Sequence, residues 1–497
     1  MTNDTLSRRH ALGLIGAGGA AALAPATRAQ RVPAGAAAPG IRWYSSTQTV
    51  RWQQQLAPAL TPQPADLFAM QVQVALDQPR QPIDGFGGAF TEKGWQALSA
   101  LPPARRDEAL AALFGDQGAA FNLCRTPLGA NDISRKWYSY DETDGDFALK
   151  DFSVANDRET LIPYIKAAQG HRSGLKLWAS PWSPPSWMKT NHFYSCAPAW
   201  PGQPATGIRP DQVRAEGTNT FIQDDKYFDA YARYFRRYVE EYAKAGIPIG
   251  MVMPQNEFNS AQPFPSCTWT PEGLARFLPF LGREMGKTGT EIFFGTLERP
   301  RADFLGKVLA DPQAGPLIKG VGVQWAGKGA LEDIQREYPQ VPIWASEQEC
   351  GTGTNDWHYA RYCWTTMRRY FAAGARAWHY WNMAMPLGGM SGWGWPQNAL
   401  VSVDTARGTF ELTNDYWALR HVSALVEQGA RYIPATSFLG FENQMAFRNP
   451  NGDLVIVVEN ETAEPLSIGF AIKGKLFRPT LPGDSFNTIV LPAAMLV

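Results

Sequence analysis

The chain has 497 residues, 44% of them hydrophobic, which is enough to bury a large core and to form one large domain beside a smaller one. Lysine plus arginine and aspartate plus glutamate both number 46, so no excess of charge points to nucleic acid or an anionic membrane, and a neutral partner is favoured. The 18 Trp and 17 Tyr supply flat rings that suit sugar faces, although in most folds such rings are core.

The first 29 residues read as a targeting segment. Ser7-Arg8-Arg9 precedes the small, weakly apolar stretch Ala11 to Ala24, and Thr27-Arg28-Ala29 offers a small-residue cleavage site. Paired arginines before such a run resemble a twin-arginine export signal, which predicts a periplasmic or secreted protein without stable membrane insertion. Residues 30–40, rich in Ala, Pro and Gly, are expected to be a flexible leader. From Phe68 to Leu76 every second residue is apolar, the pattern of a half-buried strand in a sheet with one wet face. Residues 41–80 are therefore assigned to an all-β side domain.

From about Asp84 short apolar runs alternate with amphipathic segments. Eight runs are found, near Phe86–Thr91, Phe121–Leu128, Leu175–Pro181, Ile249–Gln255, Glu291–Leu297, Gly320–Trp325, Val341–Ser346 and Ala377–Trp381. Between them, residues 224–245 space Phe228, Tyr231, Phe235, Tyr238, Val239 and Tyr242 at helical intervals, a packing stripe. Thr270-Pro271 looks like a helix cap followed by a first-turn proline. Eight strand-then-helix units predict an α/β fold, a (β/α)8 TIM barrel over residues 81–428. After Gly429 the helical period is lost. Leu454-Val-Ile-Val-Val458 and Ser485-Phe-Asn-Thr-Ile-Val490 read as strands, so residues 429–497 are expected to form a β-sandwich side domain together with the N-terminal strands.

Two of the barrel runs end on a carboxylate. Ile249-Gly-Met-Val-Met-Pro-Gln-Asn-Glu257 closes the fourth strand and Val341-Pro-Ile-Trp-Ala-Ser-Glu347 the seventh, which sets both glutamates at the catalytic mouth of such a barrel. Two carboxyls are what glycoside hydrolysis requires, at about 5–5.5 Å apart in the retaining mechanism. Glu349, two residues on, is the rival to Glu347. Five cysteines without a C-x-x-C pair leave at least one free thiol, and six histidines lack zinc-site spacing, so no metal site is predicted.

Several blocks carry a family resemblance: Gly85-Phe-Gly-Gly-Ala-Phe-Thr-Glu92, Arg125-Thr-Pro-Leu-Gly-Ala-Asn-Asp132, Tyr138-Ser-Tyr-Asp-Glu-Thr143, Ala179-Ser-Pro-Trp-Ser-Pro-Pro-Ser-Trp-Met-Lys189, Asn256-Glu257, Trp269-Thr-Pro-Glu272, Ala345-Ser-Glu347 and Tyr380-Trp-Asn382. In order and over residues 80–425, they resemble glycoside hydrolase family 30, and within it the glucosylceramidases. The resemblance implies a retaining β-glycosidase of barrel and β-sandwich, with no cofactor and with a carbohydrate or glycolipid substrate. It makes Glu257 the acid/base and Glu347 the nucleophile, has Arg125 hold Glu347 ionised, and puts Asp132, Trp182, Asn256 and Trp381 around a glucose ring. Trp187, Trp393 and Trp395 are further wall candidates. Where animal glucosylceramidases have a His-Trp-Tyr run, this chain has Gln324-Trp325-Ala326, and Ser391-Gly-Trp-Gly-Trp-Pro-Gln-Asn398 resembles bacterial members. The substrate alternatives are a β-1,6-glucan and a β-xyloside, and the alternative of another class is a barrel that binds carbohydrate without cutting it. The oligomeric state is left open.

Overall fold

In the computed structural model, which describes residues 40–437 and 439–496, all eight apolar runs become strands of one closed parallel barrel. They are β1 (Gly85–Ala89), β2 (Leu123–Pro127), β3 (Lys176–Ser180), β4 (Met251–Val252), β5 (Glu291–Leu297), β6 (Ile318–Gln324), β7 (Ile343–Glu347) and β8 (Ala375–Asn382), and each pairs with its sequence neighbours round the ring. Strands covered on both faces need no alternation, which is why they appear in the sequence as continuous apolar runs. The barrel interior is graded along its axis. Leu123, Trp178, Met251, Met253, Phe293, Trp344 and Ala377 fill its N-terminal half, and charged and amide side chains gather at the C-terminal half.

The helices form where cap and stripe coincide. Asp225–Lys244 starts on Asp224, whose carboxylate accepts from the Lys226 amide, and its aromatic stripe is buried. Pro271–Gly286 starts on Thr270, whose hydroxyl accepts from the Gly273 amide at 2.9 Å, and Phe277 packs on Tyr231 across the two helices. Packing is thus the role of that stripe.

The side domain is a two-sheet sandwich. Arg42–Thr47 pairs antiparallel with Ser485–Leu491, in a six-stranded sheet that also holds Arg431–Ile433, Gln444–Arg448, Leu454–Asn460 and Gln53–Gln54. The second sheet sets Val72–Val74 beside Phe470–Ile472 and Ala435–Thr436. Side chains of Leu454–Asn460 alternate between two cores: Leu454, Ile456 and Val458 fill the sandwich, whereas Val455 and Val457 join the core of the barrel helices. The two parts are therefore fused across a buried sheet face.

Two elements differ from expectation. The strand predicted over 68–76 is reduced to Val72–Val74, because Asp66 turns the chain by accepting from the Phe68 amide at 2.9 Å and a 3-10 turn occupies Leu67–Ala69. The fourth strand ends at Val252, not at Glu257. Pro254 has no N–H to give a ladder, and Glu257 sits in a turn with φ of +46°, outside any β conformation. The export signal and all of the leader except Gly40 lie outside the described residues. Among the described residues no helix is long and apolar enough to cross a membrane.

Candidate active site

At the C-terminal mouth of the barrel, Arg125 from the end of β2 is fully buried and fully engaged. One guanidinium nitrogen lies 2.6 Å from Glu347 Oε2, and another donates at 2.7 Å to both Ser180 Oγ and Asn256 Oδ1. Its face lies on indoles, 4.2 Å from the ring centre of Trp182 and 4.8 Å from that of Trp178. A buried charge without such partners would be strongly unfavourable, so the arginine and the Glu347 carboxylate hold each other in place.

Glu347, the last residue of β7, takes a second donor on its other oxygen: the Trp325 indole nitrogen lies 2.8 Å from Oε1. Glu257 is held by its backbone, whose N–H donates to Thr296 Oγ1 at 2.8 Å, and its Oε2 accepts from Gln262 Nε2 at 3.2 Å. One group reaches both carboxyls. Gln324 Nε2, at the end of β6, lies 3.3 Å from Glu257 Oε1 and 3.2 Å from Glu347 Oε2, and Ser346 fixes the amide by donating to its carbonyl at 2.9 Å. The two nearest carboxyl oxygens are thus separated by no more than those two distances combined, about 6.5 Å.

Burial raises the pKa of both glutamates, but their neighbours act in opposite directions. At Glu257 the carboxylates of Glu298, Glu347 and Asp132 add to the burial and raise it well above the ordinary value, with Gln324 opposing. At Glu347 the Arg125 guanidinium, the Trp325 indole and the Gln324 amide all oppose the burial. In a pair so arranged the proton resides on Glu257 and the charge on Glu347.

The other candidates divide. Asp132, Trp182, Trp381, Trp393 and Trp395 line the same space as the two glutamates. Asp132 accepts from Gln397 Nε2 at 3.2 Å, and burial followed by Glu347 pushes it up to about 7. Asn256 spends its carbonyl on Arg125, Thr296 and Gln324. Trp187 is outside the site: its indole donates to the Asp141 carbonyl at 3.0 Å and its ring packs on Phe147. Glu349 is outside too, paired with Lys328 and Tyr362. Gln324, Trp325, Gln262 and Gln397 were not among the sequence candidates. For the first two a signal existed, since they end the sixth apolar run; the glutamines reach the site from loops, where spacing carries no information.

The space among these side chains is about 20 Å³, roughly room for one water. A larger cavity of about 830 Å³ opens at the opposite end of the barrel, under Trp178, Phe293 and Trp344. Its acidic groups are Asp84, tied to Arg376 at 2.7 Å, and Glu291, so it has size without the paired carboxyls. Among the described residues no cluster of three or more His, Cys, Asp or Glu could hold a metal ion.

Residues 83–426 match the glycosyl hydrolase family 30 TIM-barrel domain, and residues 429–489 the beta sandwich domain of the same family. The chain is 26% identical over 437 residues to the lysosomal acid glucosylceramidase of Mus musculus, covering 82% of this chain and 81% of that one. It is also 26% identical over 442 residues to an endo-1,6-beta-D-glucanase of Neurospora crassa, covering 84% and 86%. Among solved structures, SrfJ from Salmonella typhimurium superposes with a TM-score of 0.80 at 22% identity, over 91% of this chain and 99% of that one.

Proposed function

Since the chain belongs to glycosyl hydrolase family 30, we propose that it is a retaining β-glycosidase that cleaves β-glucosides of glucosylceramide type through a glucosyl-enzyme on Glu347. The observation that carries this reading is the single amide of Gln324 within hydrogen-bond reach of both carboxyls. It holds their nearest oxygens within about 6.5 Å of each other, the bottom of the range of about 6.5–9.5 Å in which an inverting enzyme seats a water, and so favours the closer retaining pair.

Glu347 attacks the anomeric carbon while Glu257 gives its proton to the departing glycosidic oxygen, so the bond to Glu347 forms as the bond to the aglycone breaks. Water then attacks the same carbon, Glu257 takes a proton from that water, and the electron pair of the ester bond returns to Glu347. Arg125 keeps the nucleophile ionised, and Asp132 and the free amide nitrogen of Asn256 receive sugar hydroxyls. Trp182 and Trp381, whose rings lie 5.2 Å apart, enclose the ring from one side.

A second reading keeps this mechanism and changes the substrate to a β-1,6-glucan. Supporting it are the Neurospora crassa relative and an aromatic line leaving the site: Trp395 meets Trp393 at 5.3 Å, and Trp393 meets Trp200, 49% exposed, at 5.0 Å. Such a line suits successive sugar rings. The test follows purified protein by proton NMR with glucosylceramide and a β-1,6-glucan in parallel. β-Glucose released first from the lipid supports the main reading, β-configured oligosaccharides from the glucan support the second, and an α-configured first product overturns the role given to Glu347. We further infer export from the twin-arginine pattern, for which periplasmic or extracellular protein lacking residues 1–29 is the expected finding.

A further inference from the structure

We propose that Trp325 is the hydrogen-bond donor to the reacting oxygen of Glu347, and that its indole N–H assists the second chemical step and not the first. The inference rests on the reading of Glu347 as nucleophile.

The two oxygens of Glu347 are not equivalent. Oε2 is held by the charged Arg125 at 2.6 Å and by Gln324 at 3.2 Å, whereas Oε1 has one neutral donor, the indole nitrogen of Trp325 at 2.8 Å. An oxygen tied to a guanidinium is the poorer nucleophile, so Oε1 attacks. Trp325 also lines the small space that Glu257, Trp182 and Trp381 share. The chain keeps it there in an uncommon conformation. Directly after β6 its φ is +48°, the left-handed region that bulky residues rarely adopt, and such strain persists where the surroundings enforce it. Its ring centre lies 5.7 Å from that of Trp395, which backs the indole from the rim.

The consequence follows from the electron balance at Oε1. When Oε1 bonds to the anomeric carbon and the aglycone leaves with the proton of Glu257, Oε1 changes from a charged acceptor to an ester oxygen, a weak acceptor, and the hydrogen bond from Trp325 is largely lost. When water attacks and Glu257 takes its proton, the carbon–Oε1 bond breaks, its electron pair returns to Oε1, and the N–H meets the developing charge. Trp325 therefore stabilises the free carboxylate at the expense of glycosylation and assists deglycosylation.

Pre-steady-state kinetics with a 2,4-dinitrophenyl β-glucoside separates the two steps. For Trp325→Phe, which keeps ring bulk and removes the donor, deglycosylation should slow about tenfold while the glycosylation burst is unchanged or faster, as for one hydrogen bond to a charged group. The acidic limb of kcat/KM should move up by about one pH unit, because the carboxylate loses a stabilising donor. A parallel fall in both steps, as from a structural role, overturns the proposal, and so does no change in either. If the Phe variant does not fold, Trp325→His carries the test: its Nε2–H reaches about as far as the indole N–H, so an unchanged ratio of the two rates supports the proposal and a changed ratio overturns it. The underlying reading fails separately, if a 2-deoxy-2-fluoro-β-glucoside with an activated leaving group forms no covalent adduct on Glu347 of the unaltered enzyme.

Discussion

Glu347 and Glu349 stand two residues apart and face different partners: the first meets Arg125 at 2.6 Å in the barrel mouth, the second takes the Tyr362 hydroxyl at 2.7 Å and the Lys328 ammonium behind the wall. On a continuing strand they would project the same way, but β7 ends at Glu347. Glu347→Gln should therefore reduce kcat on an aryl β-glucoside by at least about three decades, as for a missing covalent nucleophile. Glu349→Gln should leave kcat within about tenfold and lower Tm, since it strips a charge from Lys328. The reverse order of the two kcat values would transfer the role to Glu349.

Glu257 must hold its proton, so kcat/KM should fall as pH rises through its pKa, and Glu298 sets where that limb lies. Burial raises Glu298 to about 7, and among the neighbouring charges Glu298 is the first that raises Glu257. Replacing it by glutamine removes a negative neighbour and makes the Glu257 proton easier to lose. The alkaline limb of Glu298→Gln should accordingly move to lower pH by about one unit, with the acidic limb in place. A limb that stays where it was would mean that Glu298 carries no charge while Glu257 titrates.

That both glutamates, Arg125 and the barrel could be read from the chain has a physical cause. A doubly covered strand must be apolar along its length, so a carboxylate or guanidinium at the end of such a run has to be at the mouth, as Arg125 and Glu347 are. Glu257 was legible for the same reason, although Pro254 ends the ladder early and the last five residues reach the mouth as a turn. Gln324 was less visible because an amide at a strand end has many ordinary uses, and its meaning comes from two acceptors brought to it by other strands. Gln397 and Gln262 arrive from loops whose path no local pattern encodes, and Trp187 fell away because its indole is satisfied by a backbone carbonyl. The sandwich was readable in its C-terminal half, whereas the strand at Val72–Val74 is too short for its alternation to set its ends.

Gln324→Leu should separate positioning from bulk. The leucine fills a similar volume but donates to neither carboxyl, so two buried acidic groups face each other with one neutral donor fewer each. We expect kcat/KM to fall by about a hundredfold or more, in the range seen when one preorganised donor is removed, with Tm little changed. A rise in KM alone, with kcat intact, would mean that Gln324 acts on substrate binding and not on the pair.

His421 joins the barrel to the sandwich and offers a test of that seam by pH. Thr488 spends its hydroxyl proton on the His421 carbonyl at 2.6 Å, so the ring Nδ1 at 2.8 Å must be the donor to Thr488 Oγ1, and Nε2 accepts from Ser46 Oγ at 2.8 Å. The ring is therefore neutral, and burial, with Arg420 adding to it, depresses its pKa to about 3. His421→Leu leaves both hydroxyls without this partner and should cost roughly 2–4 kcal/mol at pH 7, with kcat unchanged. The sign of the pH effect follows from linkage: below about 6.5 the unfolded chain takes up a proton that the folded ring refuses until about 3, so this group withdraws stability from the unaltered protein as pH falls. Between pH 7 and pH 5 that loss is about 2 kcal/mol, and the leucine variant is spared it. The stability gap between the two proteins, measured by urea unfolding, should thus narrow by about 2 kcal/mol on going to pH 5. A gap that stays constant would mean that the folded seam accepts the proton and that the neutral ring is not what joins the two domains.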